Sequence, residues 1–188
     1  VELYNDGLIY KGKRLVNWCP ASKSAISDEE VIHREKNGKL WHLRYPISDE
    51  NDYVTVATTR PETMLGDSAV AINPNDNRYS HLAGKTITLP LVNRKIPIIF
   101  DEFVNIDFGT GCVKVTPAHD PNDFEMGNRH NLEFINIMND DASLNQNVPK
   151  KYQNLSREDA RRTVIEEMSS EGLVDQIEDH TNSIGYSE

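Results

Sequence analysis

Alternation of apolar and polar positions is the dominant pattern in the first 115 residues of the chain. The clearest example is YVTVATT at 53–59, which predicts a β-strand with one buried face. Runs of β-branched and aromatic residues predict further strands at 7–11, 14–19, 30–34, 39–45, 86–89, 96–100 and 112–116. Asn37-Gly38 lies between two of these runs and predicts a hairpin turn there.

Helical signals are fewer and lie towards the C-terminus. The segment 156–172 has Ser156 and Asp159 as a capping pair, apolar residues at helical spacing, and Gly172 as a terminator. The polar stretch 139–153 is expected to be a loop. Many short strands with a few helices are typical of an α+β domain, here a β-barrel-like core with a few peripheral helices.

Composition narrows the class of protein. The 188 residues suit one domain over 1–188, with 50–140 as the pocket-bearing core and 1–45 and 145–188 as a connecting β-ribbon and helical periphery. No apolar run is long enough for a membrane span. Cys19 and Cys112, the only cysteines, are too few for a disulfide-rich scaffold or a cysteine-based zinc site. The net charge of −10 argues against a free-standing nucleic-acid binder. Because the chain begins at Val1, we expect a segment of a larger protein.

Charge is also unevenly distributed. In 101–145 acidic residues outnumber basic ones by nine to two, which suits a cationic ligand. The segment 150–162 is rich in lysine and arginine. It is open to two interpretations, a surface facing a phosphate backbone or an ordinary solvated helix face.

Candidate chemistry is concentrated at two corners where a strand runs into a proline and then a short helix. The first corner is TTRPETMLG at 58–66, and the second is VKVTPAHDPNDFEMG at 113–127. Free helix N-termini there would offer N–H groups to an ester or phosphate oxygen. Asp120 and Asp123 also read as an ordinary N-cap and third helical residue, so capping alone is the alternative. His119 and Asp123 have metal-ligand spacing but no further ligands nearby, so no metal site is expected.

Five longer stretches resemble one known family. They are NWCP (17–20), SDEEV (27–31), ATTRPETMLGD (57–67), AVAINPNDNRY (69–79) and GTGCVKVTPAHDPNDFEMGNRHNL (109–132). They resemble the editing (CP1) domain inserted in class I aminoacyl-tRNA synthetases, and the TTRPET and KVTP motifs favour the valyl-type branch. The HIGH and KMSKS signatures of the aminoacylation site are absent. A domain of this kind is therefore expected to edit tRNA without charging it.

The resemblance implies a substrate and a partner. The expected reaction is hydrolysis of the ester that joins a wrong amino acid, threonine, to the 3′ CCA end of tRNA(Val). An isoleucyl-type domain that clears valine, a non-catalytic tRNA-binding module and a metal-dependent hydrolase are the alternatives. The rest of a synthetase polypeptide is the expected second partner, in the cytoplasm and away from membranes, with no cofactor.

The resemblance also implies roles for individual residues. Asp123 matches the aspartate that holds the substrate α-ammonium, while Asp120 and Lys114 complete the proposed catalytic set. Substrate-binding positions are Thr58, Thr59, Arg60, Thr63, Thr116 and His119. Lys114, Thr116 and Asp120 would line the pocket around the threonine hydroxyl, whereas Thr58, Arg60 and Thr63 would lie beside the terminal adenosine. His119 is expected to be structural rather than a base. Water, positioned by the pocket and the terminal ribose hydroxyl, would be the nucleophile.

Overall fold

The computed structural model describes residues 1–12 and 14–187, and it confirms an α+β fold with a few peripheral helices. The α-helices are α1 (Glu2–Asn5), α2 (Pro121–Arg129) and α3 (Arg157–Ser170). Short 3₁₀ helices cover Asp28–Glu30, Pro61–Gly66, Asn77–Leu82 and Lys150–Tyr152. The strands are β1 (Asn17–Cys19), β2 (Ser24–Ile26), β3 (Val31–Pro46), β4 (Tyr53–Thr58), β5 (Ala69–Ile72), β6 (Thr86–Leu89), β7 (Arg94–Phe100), β8 (Cys112–Val115) and β9 (Val174–Ser187).

A four-stranded sheet in the order β6-β7-β5-β8 forms the centre of the fold. The β5–β7 pair is parallel and the other pairs are antiparallel. Every residue of β5 is buried, so this strand reads as a short apolar run (AVAI) without the alternation that marks the other strands. The absence of alternation explains why the sequence pattern did not predict it.

A second sheet, in the order β4-β3-β9, carries a long two-stranded ribbon. β3 pairs with β4 from Trp41 to Pro46 and with β9 along nearly its whole length. The predicted hairpin at Asn37-Gly38 is therefore wrong, because both residues lie inside one continuous strand opposite Thr181 and His180. Pairing with a distant strand keeps this pair extended and overrides its local turn preference.

The two larger sheets approach each other at both edges. At one edge the Ser48 N–H donates to the Thr86 carbonyl at 2.8 Å, beside an isolated bridge between Ile47 and Ile87. At the other edge the Thr110 hydroxyl donates to the carbonyl of Thr55. These contacts join the two larger sheets edge to edge, as the expected barrel-like core requires, and the buried apolar side chains form two clusters. Within 1–12 and 14–187, however, no sheet closes into a continuous barrel.

The N-terminal predictions are partly corrected. The strand predicted at 7–11 is absent, and the segment is an exposed turn after α1. Of the strand predicted at 14–19, only Asn17–Cys19 forms, paired with β2. The apolar side chains of these segments remain exposed, so nothing in the described chain stabilises an extended conformation there.

The helix predictions are confirmed by their caps. The Ser156 hydroxyl accepts the Asp159 N–H at 3.1 Å, and Gly172 takes a left-handed φ of +71° just beyond α3. Asp120 caps α2, as described below. No helix in the described part of the chain is long and apolar enough to cross a membrane.

Candidate functional site

The two proline corners open onto the same cleft, which has a volume of about 460 Å³. The walls come from the end of β4 with its following 3₁₀ helix, from β8 with α2, from the loop after β7, and from the β3–β9 ribbon. Every residue that the sequence placed in the site lines this cleft: Thr58, Thr59, Arg60, Thr63, Lys114, Thr116, His119, Asp120 and Asp123. The separate segments that carry candidate chemistry are thus brought together.

Lys114 belongs to a buried polar network on the floor of the cleft. Its ammonium lies 3.3 Å from Asp67 Oδ1 and donates to the Thr116 hydroxyl at 2.6 Å. Thr116 in turn donates to Asp67 Oδ1 at 2.7 Å, and the Tyr45 hydroxyl donates to Asp67 Oδ2 at 2.8 Å. Asp67 is fully buried, which raises the pKa of its carboxyl, while Lys114 and the two hydroxyls oppose that rise.

Asp123 is the second buried carboxylate of the cleft. Only 8% of the residue is exposed, and its Oδ2 accepts the Thr116 N–H at 2.8 Å. Burial raises the pKa of Asp123 to about 6, against the lowering effect of Lys114 and of the Thr116 N–H. A buried carboxylate that lines a cleft and is oriented by a backbone N–H is suited to a cationic partner.

Asp120 performs the capping role that its position predicted. Its Oδ1 accepts the N–H groups of Asn122 at 2.8 Å and Asp123 at 3.1 Å. The cap fixes the first turn of α2, and that turn carries Asp123 into the cleft. Asp120 also lines the cleft itself, so capping and a role in the pocket are compatible.

The first corner is held by a set of local hydrogen bonds around Arg60. The Arg60 N–H donates to the Thr58 hydroxyl at 3.1 Å, and the Thr63 hydroxyl donates back to the Arg60 carbonyl at 2.9 Å. The Arg60 guanidinium donates across the cleft to the His119 carbonyl at 2.8 Å, which ties the two corners together. Behind it, buried Glu62 receives two hydrogen bonds of 2.9 Å from Arg161 of α3.

His119 is held as a neutral ring. Its Nε2 accepts the Ile137 N–H at 3.0 Å, which places the ring proton on Nδ1. Burial, together with the nearby charges of Arg60 and Lys114, lowers the pKa of His119 to about 4. Because Nε2 already accepts a hydrogen bond, that nitrogen is not available to take a proton from water.

Sequence reasoning missed several residues of the site. Asp67 follows Gly66 at the end of the first motif, but nothing local indicated that it would pair with a lysine far along the chain. Phe103 and Phe108 line the cleft from the loop after β7, and they stay more than half exposed. His180 and Asn182 line it from β9, a strand with no clear pattern. Within the described residues no group of three or more His, Cys, Asp or Glu side chains could hold a metal ion.

Comparison with known proteins shows which family the chain resembles. A family model described as "Leucyl-tRNA synthetase, editing domain" matches residues 77–181. The chain is 59% identical over 180 residues to the valine--tRNA ligase of Francisella tularensis and 53% identical over 188 residues to that of Geobacillus stearothermophilus. These alignments cover 96% and 100% of this chain, but only 20% and 21% of the two relatives.

A solved structure shares the fold. It is the LeuRS chain of a ternary complex from Agrobacterium radiobacter K84, which superposes with a TM-score of 0.57 at 17% identity. The match covers 99% of this chain and 32% of that one. With the family match and the valine--tRNA ligase relatives, it leads to one conclusion: the chain belongs to the family of class I aminoacyl-tRNA synthetase editing domains, and its sequence resembles the valyl members.

Proposed function

We propose that the chain hydrolyses the ester bond of tRNA(Val) mischarged with threonine, in the cytoplasm and as part of a larger synthetase polypeptide. The observation that carries the proposal is the meeting of two features in one cleft. A buried carboxylate, Asp123, faces the same space as the Lys114–Thr116 pair, whose hydrogen-bonding capacity is only partly used. One group suits an amino acid's ammonium and the other suits a side-chain hydroxyl.

Asp123 would bind the α-ammonium of the esterified amino acid. Its Oδ2 already accepts the Thr116 N–H, which orients the carboxylate, and Asp123 lines the cleft. A charge-assisted hydrogen bond in a site of this burial is stronger than a neutral one. The bound cation would also keep the carboxylate ionised at neutral pH, despite its raised pKa.

Lys114 and Thr116 would read the threonine hydroxyl. The ammonium has three hydrogens, and Asp67 and Thr116 use two of them. The Thr116 hydroxyl gives its proton to Asp67 and accepts from Lys114, so one lone pair remains. A substrate hydroxyl can therefore accept from Lys114 and donate to Thr116.

Valine in the same place would satisfy neither group. Each buried polar group left unpaired costs about 1–3 kcal/mol, so the pocket rejects valine although the two side chains have similar shapes. An apolar pocket cannot make this distinction well, which is the general reason for a second, editing site.

The first corner would hold the terminal adenosine and the ester. Thr58, Thr59 and Thr63 supply hydroxyls at the edge of the cleft, and Arg60 supplies a partly exposed cation. No side chain is needed as a nucleophile. Water positioned by these groups and by the ribose hydroxyl would attack the ester, with N–H donors stabilising the developing oxyanion.

A side-by-side deacylation assay tests the proposal. Thr-tRNA(Val) should be hydrolysed and Val-tRNA(Val) spared, and Asp123→Ala should lower the rate on the threonyl ester about a hundredfold or more, since the ammonium loses its charged partner. Lys114→Ala should reduce the preference for threonine over valine. Glu125→Ala, a change on the same helix outside the cleft lining, is the control. Unchanged hydrolysis by the Asp123 variant would contradict the assigned role.

A further inference from the structure

The β3–β9 ribbon continues well past the cleft. β4 ends at Thr58, opposite Trp41, whereas β3 and β9 stay paired from Leu40 and Glu178 out to Val31 and Ser187. This ribbon arm, residues 31–40 and 178–187, extends about 30 Å beyond the corner that would hold the terminal adenosine. The arm therefore begins at the mouth of the cleft and leads away from it.

One face of the ribbon arm is continuous with the cleft. Residues directly opposite in an antiparallel pair share a face, so Gly38 lies with His180 and Lys36 lies with Asn182. His180 and Asn182 line the cleft, which identifies this as the cleft-side face. A Cβ atom added at Gly38 would lie only 3.2 Å from the Asn182 amide nitrogen. Glycine at this position therefore leaves room for the Asn182 side chain.

Charge is segregated between the two faces of the ribbon arm. Beyond Glu178 the cleft-side face carries Lys36 and Arg34 and no acidic residue, with Tyr186 stacked 5.7 Å from the Arg34 guanidinium. The opposite face carries Glu35 and Asp179, and Lys39 is paired with Asp179 at 2.6 Å. In a chain of net charge −10, a cationic face without acids is a distinctive surface.

We propose that the cleft-side face binds the single-stranded RNA that precedes the terminal adenosine of the substrate, an inference that rests on the proposed function. Lys36 and Arg34 face the phosphates, whereas His180 and Asn182 hydrogen-bond the nucleotide next to the adenosine. Cations along a track, with polar and aromatic side chains between them, are the features that single-stranded nucleic acid requires. The position of the track, starting at the cleft mouth, matches a strand whose end lies inside.

Two substrates separate this role from a general structural one. Threonyl-adenosine ester has no preceding nucleotide, whereas Thr-tRNA(Val) has the whole single-stranded end. In the complete polypeptide that contains this sequence, Lys36→Gln and Arg34→Gln, on the cleft-side face but outside the cleft lining, should each raise KM for Thr-tRNA(Val) about five- to tenfold. Hydrolysis of the adenosine ester should be unchanged. Lys36→Gln should also reduce the slope of log KM against log salt by about 0.7.

Matched controls lie on the opposite face of the same arm. They are Lys39→Gln, His33→Ala and Thr181→Ala, and none should change KM for either substrate. Equal effects on both substrates, or equal effects from the two faces, would overturn the inference while leaving the proposed function standing. Failure of the unmodified protein to hydrolyse either ester would instead remove the proposed function.

Discussion

At the scale of one residue, Asp123 has a proposed role that conflicts with stability. Burial disfavours the ionised carboxylate, so the pKa of Asp123 rises from 3.8 to about 6. The native state therefore takes up a proton that the unfolded state releases between these two values. The resulting stabilisation is complete below about pH 4 and is lost as the pH rises through about 6.

Asp123→Asn should make this conflict measurable. At pH 7 the variant should be more stable than the wild type by about 1–3 kcal/mol, because it buries no charge and can still accept the Thr116 N–H. The gain should disappear by pH 4, although deacylation is lost at both values. Denaturant unfolding at pH 4 and pH 7 measures the difference. An equal effect at both pH values would show that the burial of charge is not its cause.

The contribution of Asp67 to stability depends on its ion-pair partner, Lys114. Asp67→Asn removes the ion-pair partner of buried Lys114, so the free energy of unfolding should fall by about 3–5 kcal/mol. The double variant Asp67→Asn/Lys114→Met removes both charges and should recover most of this loss, without recovering preference for threonine. Denaturant unfolding and the deacylation assay provide the two readouts.

A surface pair provides the comparison for Asp67. Asp49 lies 2.8 Å from Lys95, with both side chains mostly exposed, so Asp49→Asn should change stability by no more than about 0.5 kcal/mol. If the double variant were as unstable as Asp67→Asn alone, the buried charge of Lys114 could not be the cause.

At the scale of elements, α3 supports the first corner from behind. Arg161 reaches from α3 to Glu62 in the 3₁₀ helix Pro61–Gly66, and its guanidinium lies 5.8 Å from the Trp41 ring centre. Only 1% of the Glu62 side chain is exposed, and Arg161 is its hydrogen-bonded counter-charge, while Arg60 lies further away at 3.8 Å. A helix late in the chain thus fixes a segment far upstream.

Arg161→Met should lower the free energy of unfolding by about 2–4 kcal/mol, because Glu62 stays buried without its bidentate partner. Arg161→Lys should restore only part of this, since an ammonium cannot donate two parallel bonds. Amide hydrogen exchange should become faster across 61–66. Arg162→Met, which affects an exposed pair with Asp159, is the control and should leave both measurements nearly unchanged.

The same elements explain what sequence could predict. The corners depend on local chemistry, the fixed φ of Pro61 and Pro121 and the cap at Asp120, so they were predictable in place and type. The resemblance to a family supplied the expectation that they meet. The ribbon was not predictable from local signals, because β9 is polar on both faces and its partner lies some 140 residues upstream. For the same reason His180 and Asn182 were missed, together with the pairing of Lys114 and Asp67.

At the scale of the whole molecule, the net negative charge opposes the binding of a polyanion such as RNA. The chain has a net charge of −10, and the cleft contains Asp120 and Asp123, so a polyanion gains little from most of the surface. Under the proposed function, the cleft would select a cationic amino group, and phosphate would be bound only by limited patches such as the cleft-side face of the ribbon arm. Binding through few phosphate contacts is weak, and its dependence on salt is shallow because the slope scales with the number of contacts.

The pairing of Val31 with Ser187 has a consequence for how this unit can be combined with others. Backbones at paired positions lie about 5 Å apart, so the two ends of the segment 31–187 are adjacent. A host protein can accept residues 31–187 at a single surface loop, because adjacent ends leave the two sides of that loop close together. Residues 31–187 therefore form a segment whose two ends are adjacent, which is the arrangement that insertion at one point of another chain requires.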